Sequence, residues 1–195
     1  MSVGGRFEAA LAWAGTLAQA AFVSPHHWRA VNELWPWLEP LGIKTALEVG
    51  CGEPPYLAAR MLREYGVATV TLDAFSACDV PGDVHCLPFE DMSFDLVVAR
   101  HLLEHTLCPY LALMEMRRVS KGWGLVVIPG LSDKTVNWPD HLYLMPQRAW
   151  ERAFGLTGWR VARQKEGDFT ESYALEQGLW RDKEWCYLLE KGESE

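Results

Sequence analysis

The chain has 195 residues, of which 49% are hydrophobic and 23% charged, with a net charge of -8 and an isoelectric point near 5.3. That length holds one domain with a full core, and the composition excludes disorder as the main state. The acidic balance gives no field that draws nucleic acid or anionic membrane to the surface.

The five cysteines, Cys51, Cys78, Cys86, Cys108 and Cys186, are odd in number and contain no CxxC pair. No zinc knuckle, disulfide framework or other metal ligand set is read from them, and reduced thiols in the cytoplasm are the simplest account. Arg6 followed by the apolar run 9–23 faintly imitates a signal peptide, but Glu8, Thr16 and Gln19 interrupt it and an alanine-rich amphipathic helix explains it. No apolar run is long enough to span a bilayer.

Taken in order, Ser24-Pro25 starts a second helix over about 26–38, which Pro40 and Gly42 end. Residues 46–49 form the first core strand, 55–65 a helix closed by Gly66, and 69–72 a second strand suited to burial on both faces. Only 74–82 separate Asp73 from Asp83, too few for a crossover helix, so a loop or single turn is expected there, with a short strand within 80–86. A buried strand covers 94–99. A helix with Leu107, Leu111 and Met114 at helical spacing runs into a turn at Lys121-Gly122-Trp123-Gly124, and 125–128 is the next strand. A loop over 131–140, a helix over 146–154 and two strands, 159–164 and 184–189, paired as an antiparallel edge hairpin, complete the chain. Alternating strands and helices predict a three-layer α/β domain around a mostly parallel, seven-stranded Rossmann-like sheet with an antiparallel edge strand.

The stretch Glu48-Val49-Gly50-Cys51-Gly52-Glu53-Pro54-Pro55, followed by a helix, a strand and Asp73, is a βαβ nucleoside-binding unit. A dinucleotide fingerprint needs a third glycine, which is missing, while the two prolines remove amide donors from the turn that would hold a phosphate. Glu48 repels a pyrophosphate and suits an ammonium group. A ligand without phosphates, such as S-adenosylmethionine (SAM), fits these residues.

These residues resemble the class I SAM-dependent methyltransferases, and within them the small type 11 group. The resemblance rests on Glu48 to Gly52, Asp73, the run Gly82-Asp83-Val84-His85-Cys86-Leu87-Pro88-Phe89 with Ser93-Phe94-Asp95, then Leu103-Glu104-His105 and Glu115-Met116-Arg117-Arg118-Val119. It spans residues 45–161. It implies that Gly50, Cys51 and Gly52 pass under the nucleoside and methionine, that Asp73, beside Ala74, bonds the ribose hydroxyls, and that Asp83 and the Val84 amide meet adenine. The chain departs from the family at Pro54, at Ser120 to Gly124 in place of a proline-glycine-glycine turn, and at Arg100, where a small or polar residue is common. Arg100 borders the methionine end of the cofactor and is read as a ligand for its carboxylate or for an anionic acceptor.

Methyl transfer needs an aligned acceptor and, for a hydroxyl, a base. His101, His105 and His141 are the candidates, with the resemblance favouring His105. No Asn-Pro-Pro-aromatic run or catalytic Pro-Cys pair of the base methylases is present. The expected acceptor is therefore an oxygen or nitrogen of a small molecule, lipid-linked intermediate or glycan, met by the 138–143 loop beneath Trp28, Trp138, Tyr143 and Trp150. Helices within residues 1–40 are expected to cover the cofactor. Two readings compete: a SAM-binding accessory subunit that transfers nothing, and a nicotinamide oxidoreductase, which the prolines oppose.

Overall fold

Seven strands form one sheet: β1 (Thr45–Val49), β2 (Ala68–Asp73), β3 (Val80–Pro81), β4 (Phe94–Arg100), β5 (Ser120–Pro129), β6 (Trp159–Gly167) and β7 (Glu184–Lys191). Their order is β3-β2-β1-β4-β5-β7-β6. β1 to β5 are mutually parallel, whereas β7 runs antiparallel to both β5 and β6. The computed structural model describes residues 34–52, 62–167 and 183–192. The expected signal-like run, the helix start at Ser24, Trp28, the Pro54-Pro55 pair and most of the 55–65 helix lie outside these residues.

The two faces of the sheet follow the alternation of the strands. Leu47, Val49, Val97 and Ala99 pack under helices α1 (Pro109–Val119) and α3 (Gln147–Leu156), and Ala46, Leu96 and Val98 pack with Leu34, Leu38 and Leu62 on the opposite side. Residues 34–38 and 62–64 are helical, so helices cover both faces as expected. The strand order reverses between β1 and β4, and the crevice beyond their carboxyl ends is where an open α/β sheet binds its ligand.

Two side-chain networks replace the structure that the short connections leave out. Asp79 Oδ2 accepts from the Thr71 amide and hydroxyl and from Arg63 Nη2, which pins the 74–79 link against β2 without a crossover helix. Arg118 donates to the Leu87 and Phe89 carbonyls and pairs with Glu115 and Asp91, while Glu115 accepts the Leu87 amide. The Glu115-to-Arg118 motif is thus a staple for the segment that carries Asp83 and Val84.

Three expectations are corrected. Lys121 to Gly124 form no turn: they lie within β5, where Ser120 faces Phe94 and Trp123 faces Leu96, so one extra residue is accommodated as a bulge. The Ser120 hydroxyl accepts the Gly122 amide and donates to the Trp123 carbonyl, which supports that bulge. In α1 the buried stripe is Pro109, Ala112, Leu113, Met116 and Val119, and Leu107, Leu111 and Met114 are exposed. Two apolar stripes compete in that segment, and the charged pair Glu115 and Arg118, tied to residues 87–91, selects which one turns inward. Trp150, expected near the acceptor, is buried against Phe154 beneath the sheet. The 131–140 loop contains a short helix, α2 (Asp133–Val136), capped reciprocally by Ser132 and Thr135.

Candidate active site

At the end of β1, Gly50 and Gly52 both take left-handed φ values, +64° and +68°. The Gly50 amide donates to the Leu72 carbonyl at 2.8 Å and the Gly52 amide to Asp73 Oδ2 at 2.9 Å, so the turn is tied to the end of β2. A Cβ on Gly50 would come within 2.5 Å of the Leu102 side chain, whereas one on Gly52 would meet nothing within 4 Å. Gly50 is therefore required by packing and conformation, whereas at Gly52 the conformation requires glycine and no described residue stands in the way of a side chain.

Asp73 Oδ1 accepts the amides of Phe75 and Ser76 at 2.8 and 2.9 Å. Burial pushes its carboxyl up, but these amides and that of Gly52 outweigh it and hold the group below the usual carboxylate range. A carboxylate offers about four acceptor positions, so three amides leave room for a further donor such as a hydroxyl. Ala74 is exposed beside it, and the Phe75 ring is 99% exposed. Phe75 drew no attention in the sequence, where nothing separates it from a core aromatic.

Asp83 is exposed and its Oδ1 accepts the His85 amide at 2.9 Å and faces His85 Nδ1 at 2.6 Å. The amide first, then the ring, keeps this carboxyl below its usual range. Val84 is buried next to it. Glu48 lies buried at the end of β1. Burial, followed by the Glu48 carboxylate, Cys78 and Asp73, pushes the Cys51 thiol well up, so it is no nucleophile. Arg100, which ends β4, has a buried Nε with no hydrogen-bond partner among the described residues. The sheet alternation puts Arg100 on the same face as Val98 and Glu48, one carboxylate and one guanidinium at neighbouring strand ends.

Beyond Arg100 the chain turns sharply. His101 adopts a left-handed φ of 48°, a conformation a non-glycine residue holds only under constraint. The constraint is visible: its amide donates to the Val127 carbonyl at 2.9 Å, Nδ1 bonds Glu104 Oε1 at 3.1 Å and Nε2 bonds Glu184 Oε1 at 2.5 Å. Burial pulls the imidazole pKa down, but hydrogen bonds and charge from the two carboxylates outweigh it and raise it to about 9. A ring that donates from both nitrogens has no lone pair for a proton. The two carboxylates thus favour the protonated form of His101, which leaves it less suited to accept a proton than His105 and His141.

The 3-10 turn Leu103–His105 sends Glu104 inward, fully buried, and His105 outward. The Glu104 carbonyl accepts the amides of Leu142 and Tyr143, and the Tyr143 hydroxyl donates to the Leu107 carbonyl, so the 138–143 loop is docked on this turn. His105 Nδ1 lies 2.9 Å from the Asp140 carbonyl and His141 Nδ1 2.8 Å from that of Thr135. A carbonyl only accepts, so each Nδ1 carries a proton and each Nε2 is the ring nitrogen that this bond leaves unengaged. The two rings pack edge to face with centroids 4.8 Å apart, and Trp138 lies beside His141. Of the three candidate histidines, His105 and His141 are brought together as possible bases, and His101 stands behind them through Glu104.

Residues 47–128 match the family model described as a methyltransferase domain. An uncharacterized 37.1 kDa protein in transposon TN4556 of Streptomyces fradiae is 39% identical over 61 residues, 30% of this chain, and that stretch covers 18% of the relative's own length. The YcgJ protein of Bacillus subtilis superposes with a TM-score of 0.60 at 15% identity, over 84% of this chain and 99% of its own. The magnesium protoporphyrin IX methyltransferase of Synechocystis PCC 6803, solved with bound S-adenosylhomocysteine, gives 0.59 at 12% identity, over 96% and 94%. At such identities the two structures share the fold.

Proposed function

We propose that this chain is a class I SAM-dependent methyltransferase that delivers the methyl group to an oxygen or nitrogen of a small-molecule, lipid-linked or glycan acceptor. The observation that carries this reading is the docking of the 138–143 loop on the Leu103–His105 turn. It sets His105 and His141, each giving Nδ1–H to a backbone carbonyl, beyond the carboxyl end of β4, and Leu102 of the same segment packs over Gly50 of the glycine turn. An acceptor held there lies next to whatever the turn binds.

The residues fit SAM. The side of Gly52 clear of described residues, the spare acceptor position on Asp73 with Ala74 beside it, and exposed Asp83 next to Val84 suit a nucleoside, with the Phe75 face available to a base. Glu48 suits an ammonium and the orphaned Arg100 Nε a carboxylate, the two ends of an amino acid. When bound, SAM supplies a methyl group already activated on a sulfonium. What remains for the chain is to align the acceptor and take its proton, which His105 or His141 can do through Nε2.

Calorimetric titration with SAM, followed by screening of hydroxyl, carboxyl and amine acceptors for S-adenosylhomocysteine release, tests this. Turnover on one acceptor class supports it. Saturable SAM binding with no turnover on any class favours the accessory-subunit reading.

A further inference from the structure

Glu104 and His141 stand 37 residues apart along the chain, and the fold gathers them with His105 at one point. One carboxylate oxygen and one nitrogen from each ring lie within 4.8 Å of one another, and His105 Nε2 is 3.9 Å from Glu104 Oε1. We propose that these three side chains form a site for one divalent first-row transition cation of the zinc class, with a further coordination position open toward an acceptor oxygen.

Three observations converge on it. Glu104 is fully buried, and its Oε2 has no hydrogen-bond partner among the described residues, a costly state for a carboxylate oxygen that a cation relieves. Both histidines donate Nδ1–H to backbone carbonyls, the arrangement that orients a metal-binding imidazole and aims its Nε2 lone pair at the ion. His101 holds Glu104 Oε1 at 3.1 Å and His105 Nε2 approaches the same oxygen at 3.9 Å, so the carboxylate is fixed at the cluster with its Oε2 still unsatisfied among the described residues. Two imidazoles and one carboxylate suit zinc and its neighbours better than magnesium or calcium, which prefer oxygen. Tetrahedral zinc with bonds of about 2.0–2.2 Å sets its ligands roughly 3.4 Å apart, so binding draws the 4.8 Å cluster in by about an ångström. The exposed His105 ring and half-buried His141 ring sit on a loop and a turn where such a rotation disturbs no core packing.

With the ion bound, His105 and His141 act as ligands in place of bases; the cation keeps a position for a hydroxyl oxygen and lowers its pKa, so that its proton passes to water. This role rests on the methyl-transfer reading; the binding of the ion does not.

The test titrates the chelator-stripped full chain with Co2+, followed by its visible absorption, and with Zn2+ in competition with a chromophoric chelator, alongside Mg2+. The expected result is one Co2+ or Zn2+ per chain and no comparable response to Mg2+. His105→Gln and His141→Gln each weaken Zn2+ binding by at least about tenfold, with unchanged circular dichroism and unchanged SAM binding. Glu104→Gln is a third variant, but its burial beside His101 makes the two histidine variants the deciding ones. Stoichiometry well below one, or both histidine variants binding Zn2+ like the parent, overturns the site. Metal binding without methyl transfer to any acceptor leaves the site standing and removes the functional reading instead.

Discussion

Glu184, the first residue of β7, bonds His101, the residue after β4, at 2.5 Å across 83 positions of sequence. With Glu104 on the other ring nitrogen, the imidazolium lies between two buried carboxylates and anchors the turn that carries His105. Neutralising Glu184 leaves His101 paired with Glu104 but removes a buried charge-assisted hydrogen bond that joins β7 to the turn. Glu184→Gln is expected to cost about 3 kcal/mol in denaturant unfolding. A loss below about 1 kcal/mol would place the pair with exposed bridges that add little.

The two glycines of the β1 turn separate packing from ligand binding. Gly50→Ala meets both a left-handed φ and the Leu102 side chain, so it should destabilise the unliganded protein by about 2 kcal/mol or more. Gly52→Ala meets only the conformational penalty, about 1 kcal/mol, yet SAM affinity should fall at least tenfold. Thermal melts with and without SAM distinguish the two. Unaltered SAM affinity in the Gly52 variant would show that the space beside it is not the ligand's.

Arg100→Met removes a half-buried guanidinium whose buried Nε has no hydrogen-bond partner among the described residues. The unliganded melting temperature should hold or rise, because an unsatisfied buried donor is lost. Affinity for SAM, measured by calorimetry, should drop about tenfold through loss of a charge-assisted bond. If affinity for SAM is retained but the KM of an anionic acceptor rises, Arg100 serves the acceptor instead.

Asp95 gives the stability a defined acid limb. Burial opposes its ionisation, but Lys121 and the amides of Lys44 and Thr45 outweigh this and lower its pKa from 3.8 to about 2. The unfolded chain therefore takes up a proton that the folded chain refuses. Its contribution, on the order of 2 kcal/mol, is complete above pH 3.8 and lost as pH falls toward 2. Asp95→Asn should lower stability at pH 6 and flatten the decline between pH 4 and 2, as followed by unfolding at each pH.

Much of the frame was readable from residues alone. Apolar runs at 46–49, 69–72 and 94–99, each ended by glycine or a charged residue, are strands because both faces are covered. The edge hairpin of β6 and β7 also stands as expected, though β7 lies inside it and β6 forms the margin. The stripe at Leu107, Leu111 and Met114 misled because helical spacing is satisfied by two faces, and only the Arg118 contacts to residues 87–91 choose between them. The bulge at Ser120 was equally hidden, since Gly122 and Gly124 read alike in a turn and in a strand with one residue too many.

The sequence by itself determined the order of the sheet's building blocks, the glycine turn and the acids Glu48, Asp73 and Asp83 at the strand ends, because hydrophobic period and turn chemistry act over a few residues. It also marked His101, His105 and His141, but not their different states. Only the tertiary structure decided those. A histidine's state depends on which acceptors surround it: two buried carboxylates favour the cationic form of His101, whereas His105 and His141 each give Nδ1–H to a backbone carbonyl and gather beside Glu104. Those partners lie 3 to 83 positions away along the chain, where no local pattern reaches.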